Sequence, residues 1–208
     1  TLLANQRVSV MKLIIQTLCA SLCTYAIKHS TGTSAQQAVK NYMSADNIAY
    51  GLQAKLINDI DIFIAGPGNI DACYLGETNE HFILAFRGTS ISTNNSLQDW
   101  VNDCLYSPIN YKNIPGKLHI GFLSSVERLF HQGIMQKLSR RMQANPKKKI
   151  IITGYSKGAA LAPLAAAFLD KIYHIDPAHI EVNIFEPPKA GNQTFARYFN
   201  QTFPTSIR

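Results

Sequence analysis

Apolar positions in this chain follow two periods. Val8, Met11, Leu13, Ile14, Leu18, Leu22 and Ile27 recur at helical spacing and predict a helix over about Gln6 to His29. Ser30 to Ser34 breaks it, and a second helix is expected from Ala35 through Leu56, in one or two pieces around Tyr42. A short strand, Asp61 to Ala65, is closed by Gly66-Pro67-Gly68. Asp71 to Leu75 and His81 to Phe86 follow as strands, joined by a turn over Gly76 to Asn79. Thr89 to Asn95 is small and polar apart from Ile91 and reads as a loop. Phe122, Val126, Leu129, Phe130, Ile134, Leu138 and Met142 predict one long amphipathic helix ending at Asn145-Pro146. A strand over Ile150 to Ile152, a helix over Ala159 to Asp170 and a strand over Glu181 to Phe185 complete the pattern. Strands alternating with helices imply an α/β sandwich with a mostly parallel central sheet.

Composition narrows this picture. The 208 residues are 46% hydrophobic and 16% charged, which suits a single domain over 1–208 with a sizeable core. The chain begins at Thr1 without an initiator Met, so a processed or trimmed N-terminus is expected. A net charge of +7 favours contact with anionic surfaces. The basic residues are scattered, with no positive stripe interleaved with aromatics, which argues against nucleic acid as a partner. The one dense run, Lys147-Lys148-Lys149, reads as a solvated loop. Cys19, Cys23, Cys73 and Cys104 lack zinc-type spacing. Cys19 and Cys23 read as small core residues, which leaves the redox compartment open. Met11 to Cys23 has a faint signal-peptide pattern, but a buried N-terminal helix is the favoured reading, and no segment reads as long enough to span a bilayer. Secreted or membrane-peripheral placement is favoured slightly over cytoplasmic.

The chemistry concentrates in Gly154-Tyr155-Ser156-Lys157-Gly158, between the Ile150 to Ile152 strand and an alanine-rich helix. A strand entering a sharp turn with a helix leaving it is the setting of a nucleophile elbow. Glycines on both sides of Ser156 remove Cβ atoms where strand and helix crowd. The serine can then occupy strained backbone with its hydroxyl presented. The helix N-terminus aims N–H groups at the point where negative charge develops during acyl transfer.

Further segments occur in a telling order: Phe86-Arg87-Gly88-Thr89 ending a strand, Trp100-Val-Asn-Asp103, His119-Ile-Gly121-Phe122, the elbow, and Pro188-Lys-Ala-Gly191-Asn192. With these motifs, over about Tyr42 to Phe203, the chain resembles the class 3 lipases, the fungal-lipase-like branch of the α/β-hydrolases. The resemblance implies an α/β-hydrolase-type three-layer sandwich lacking its C-terminal part. It implies a serine carboxyl-ester hydrolase acting on acyl lipids, triacylglycerol or phospholipid, with Ser156 as nucleophile. The oxyanion would be held by the backbone N–H of Lys157 and by Thr89. Ser90 to Leu97 would form the lid, in which Ile91 and Leu97 are the only bulky apolar residues, so strong interfacial activation is not expected. Trp100 is expected to be buried and Asp103 to accept hydrogen bonds from backbone or from Arg87.

The resemblance places the triad Asp and His after the Pro188 to Asn192 segment, beyond Arg208. Asp170, Asp176, His174 and His179 fall instead in the connection after the elbow helix. The 208-residue chain alone is therefore expected to be inactive, and the alternative to an enzyme is an inactive lipase-like domain that binds lipid or a protein. Two elbow residues depart from the family's G-H-S-L-G-G: Tyr155 stands for histidine and Lys157 for leucine. Lys157 either pairs with a nearby acid or selects anionic substrates. Pro163 is expected to kink its helix. No metal or organic cofactor is implied. The expected partners are a lipid or other acyl-ester substrate and, peripherally, an anionic membrane surface.

Overall fold

The structure is a computed structural model that describes residues 2–28, 31–44, 57–89 and 107–208. Trp100, Asp103, Cys104 and the expected lid residues Ser90, Ile91 and Leu97 lie outside the described residues. In chain order the elements are α1 (Leu2–Cys23), α2 (Thr33–Ser44), β1 (Ile57–Ala65), β2 (Asp71–Glu77), β3 (His81–Phe86), β4 (Pro108–Tyr111) and β5 (Ile114–His119). They continue as α3 (Ile120–Phe130), α4 (Ile134–Ala144), β6 (Lys149–Tyr155), α5 (Lys157–Lys171), β7 (Ile180–Phe185) and α6 (Gln193–Thr202).

The central sheet has the order β1-β2-β3-β6-β7. β1, β2 and β3 pair antiparallel because a few residues join each to the next, whereas β3, β6 and β7 pair parallel across helical crossovers. The expected α/β-hydrolase-type sandwich is present, with a mixed sheet in which the parallel pairs lie at β3-β6-β7. Beyond β7 the sheet continues in one parallel bridge: the Ile184 N–H donates to the Ile207 carbonyl (2.9 Å) and the Ile207 N–H to that of Val182 (3.0 Å).

Alternation along the strands sorts side chains into two cores. Phe82, Leu84, Phe86, Ile150 and Ile152 face α3, α4 and α5, while Tyr74, Ile83, Ala85, Ile60 and Ile62 face α1 and α2. α5 is buried continuously from Lys157 to Leu169 and runs unbroken through Pro163. Its alanines let it lie close to the sheet on one side and α3 on the other.

Several expectations change. The long helix is two, α3 and α4, divided where Gly133 takes φ 99°. The hydrophobic period crosses that break because both halves face the same core. The β4–β5 hairpin is an addition to the expected elements, its strand pattern interrupted by Pro115 and Gly116; Lys112 makes its turn at φ 46°. α1 is seated only by its second half, with Leu3, Val8, Val10 and Met11 exposed. Contrary to the reading that no segment could span a bilayer, Leu3–Ala26 is long and apolar enough to cross a membrane by length and composition, with 33% of its most apolar stretch buried in the protein. Finally, Lys148 is not part of a wholly solvated run. It pairs with Glu77 and donates to the Thr78 carbonyl at 2.9 Å, and Arg141 bridges Glu77 to Asp61.

Candidate active site

β6 delivers the chain to Ser156 at φ 55° and ψ −122°, and α5 begins at the next residue. Such a conformation costs about 1–3 kcal/mol in a residue with a Cβ and persists only where its surroundings over-determine it. The Ser156 N–H donates to the Phe185 carbonyl on β7 (3.0 Å), and the Ser156 carbonyl accepts from the Ala159 N–H (2.9 Å). The flanking glycines let backbone touch backbone. A Cβ on Gly154 would stand 2.2 Å from the Gly158 carbonyl, and one on Gly158 would stand 2.2 Å from the Phe86 oxygen. Ser156 is 6% exposed, and its Oγ has no hydrogen-bond partner among the described residues.

β3 runs parallel beside β6, with Phe86 opposite Gly154, so both strands end at one sheet edge. The chain leaving β3 stays against the elbow: a Cβ on Gly88 would lie 2.8 Å from the Tyr155 carbonyl oxygen and 2.2 Å from the Tyr25 hydroxyl. Thr89 follows at once. Its hydroxyl is buried and makes no hydrogen bond among the described residues, a cost of about 1–3 kcal/mol for an unused polar group.

Lys157 turns its side chain inward and is only 2% exposed. Its Nζ donates to Asp71 Oδ1 at 2.8 Å, so the ion-paired reading of this lysine holds. Asp71 Oδ2 accepts from Arg128 Nε (2.9 Å) and Nη2 (2.7 Å). Burial would push the Asp71 carboxyl up, but the Lys157 charge and hydrogen bonds from Lys157, Ser125 and Arg128 outweigh it and hold it low. Burial pushes the Lys157 ammonium down despite Asp71, with Arg128 and Arg87 acting the same way. Asp71 had no sequence signal, because its partners lie 57 and 86 residues away.

The other described motif residues make structural contacts. The Arg87 guanidinium, 5% exposed, donates to the carbonyls of Ile27, Asn69 and Ile70 and ties the end of β3 to the chain after α1. His119 caps α3 by accepting the Gly121 N–H at 3.2 Å, and its ring lies 4.3 Å from that of Phe122. The His119 N–H donates to Ala190, Leu118 bridges Gly191, and Asn192 Oδ1 accepts the N–H groups of Lys117 and Phe195. Two separated motifs are thus one joint. Tyr155 donates its hydroxyl to Glu186 at the exposed surface (2.8 Å), and that bond first, then the Glu186 charge, raises its pKa.

The aspartates and histidines after Ser156 serve elsewhere. Asp170 accepts from the Tyr198 hydroxyl (2.6 Å), and Asp176 caps the turn before β7. His174 and His179 precede β7, whose start pairs with the start of β6, about 17 Å along the strands from the elbow edge.

The fold defines an α/β-hydrolase-type protein, with Ser156 at a strand-to-helix turn on one sheet edge. The sequence profile described as Lipase (class 3) matches residues 83–208, more than half of the chain, and the chain belongs to the class 3 lipase family. It is 34% identical over 121 residues to a lipase of Rhizopus niveus, covering 57% of this chain and 29% of that protein. It is 29% identical over 153 residues to the secreted mono- and diacylglycerol lipase A of Penicillium cyclopium, covering 73% and 44%. The chain therefore spans less than half the length of these curated relatives. Among solved structures, lipase II from Rhizopus niveus superposes with a TM-score of 0.70 at 22% identity, covering 94% of this chain and 69% of that one. The Rhizomucor miehei triacylglyceride lipase gives 0.69 at 19% identity, covering 95% and 68%.

Proposed function

We propose that this chain is the nucleophile-bearing part of a serine carboxyl-ester hydrolase acting on acyl lipids, as the names of its relatives indicate for those proteins. The observation that carries the reading is Ser156, held at φ 55° between β6 and α5 with an Oγ uncommitted among the described residues. Ser156 attacks the ester carbonyl and a histidine base takes its proton. The acyl-enzyme forms as the alcohol leaves, and water releases the acid. The Lys157 N–H and Thr89 stabilise the oxyanion; the buried Thr89 hydroxyl, unpaired among the described residues, supports the latter role. A histidine base and its acid complete the mechanism; Asp170 is bonded to Tyr198, Asp176 caps a turn, and His174 and His179 precede β7. The substrate is a glyceride rather than a phospholipid, since Lys157 is turned away from the site and the relatives' names specify glycerides. Secretion is supported by the relative's printed name and by the apolar α1.

Fluorophosphonate labelling and short-chain ester turnover of the full-length protein test the reading. Both are expected and both should vanish in Ser156→Ala. Labelling that survives that substitution sinks it. A full-length protein that binds lipid but neither labels nor turns over is the inactive domain instead.

A further inference from the structure

A buried ammonium directly after the candidate nucleophile is an unusual residue for a crowded elbow. The family's elbow has leucine there, which needs no partner, whereas a lysine at 2% exposure must be given one. The partner is elaborate. Asp71 opens β2 and gives one oxygen to Lys157 (2.8 Å) and the other to Arg128 of α3 (2.9 and 2.7 Å). Gly66, at φ 80°, makes room for the junction, since a Cβ there would lie 2.8 Å from Asp71 Oδ2 and 3.2 Å from Arg128 Nε. A continuous ionic chain thus links the first residue of α5 to β2 and α3.

Buried ion pairs add little net stability over apolar residues of similar volume, although breaking one is costly. Their charge-assisted hydrogen bonds are, however, short and directional. Here they act on the residue whose backbone N–H is the proposed oxyanion donor. Rotation of the first turn of α5 would strain the contact from Lys157 to Asp71, and Arg128 keeps Asp71 from following. We infer that Asp71 and Arg128 are positioning residues: through the Lys157 side chain they fix the direction of the Lys157 N–H toward the oxyanion. This rests on the reading of Ser156 as nucleophile. A leucine would hold the same N–H by packing alone, over a wider range of angles.

The test uses ester kinetics and thermal unfolding of the full-length protein. The apolar replacement Asp71→Leu with Lys157→Leu keeps every backbone N–H. It should leave the thermal midpoint unchanged or higher, while kcat falls about tenfold with KM within about twofold, a fraction of the loss expected when an oxyanion donor is removed outright. Arg128→Gln, at the half-exposed end of the chain, should stay folded and lower kcat about threefold, with Arg128→Lys recovering most of it. Wild-type kcat in the folded double variant overturns the inference. If that variant does not fold, wild-type kcat in Arg128→Gln does so instead. Turnover remaining in Ser156→Ala would overturn the nucleophile assignment and this inference together. Its loss there, beside unchanged kcat in the variants, removes the positioning role alone.

Discussion

Ser156 keeps a side chain in a conformation that glycine adopts freely, so its backbone and its chemistry have opposed interests. Ser156→Gly should raise unfolding stability by about 1 kcal/mol while abolishing labelling, as measured by urea titration. A loss of stability would mean that the hydroxyl supports the fold. Gly158→Ala should do the reverse, since its methyl meets the Phe86 carbonyl oxygen at 2.2 Å and backbone must move. A destabilisation of about 2 kcal/mol or more is expected, with labelling reduced in the molecules that remain folded. Asp71 sets a pH dependence. Its folded pKa lies below its unfolded value, so its contribution is fully present above the unfolded carboxylate range and is lost as pH falls through the folded value. Urea midpoints measured from pH 6 to pH 2 should therefore fall toward the acid end, and Asp71→Asn should flatten that fall. At this scale the elbow was legible because glycine spacing reports backbone crowding directly. Asp71 was not, since an ion pair between distant residues leaves no local pattern.

At the scale of elements, strands β2, β3, β6 and β7 were readable within three residues, because β-branched runs and turn residues bound them. Periodicity alone failed at α3–α4, where one apolar face continues through a break, and at β4–β5, where Pro115 and Gly116 mimic a loop. Pro163 marks another conflict between local preference and packing. It lacks the N–H that would reach the Ala159 carbonyl, yet α5 runs through it. Pro163→Ala should restore that bond and raise stability by about 1 kcal/mol, with the lost ring contacts offsetting the rest. α1 is docked partly through polar bonds, with the Tyr74 hydroxyl on the Ala20 carbonyl at 2.7 Å and the Thr153 hydroxyl on the Thr17 carbonyl at 3.2 Å. Tyr74→Phe should cost about 1 kcal/mol of unfolding free energy and leave kcat unchanged.

For the whole molecule, charge is distributed unevenly. Arg7, Lys12, Lys28 and Lys40 precede the first acidic residue, Asp46. Co-sedimentation with anionic vesicles is expected to fall steeply as salt rises through physiological strength, where exposed charges are screened beyond about 8 Å. Binding that ignores salt would point to apolar insertion alone. The contact between α1 and β6 also sets an order of events during synthesis. Thr17 and Thr153 are 136 residues apart, so α1 emerges from the ribosome roughly 7–27 s before the strand that seats it. Throughout that interval it is an apolar helix without β6, although α2 and β2 emerge earlier to cover part of it. Whatever cellular factor scans nascent chains for such segments meets α1 before the fold can hide it, and the fate of the protein is open to decision before its sheet exists.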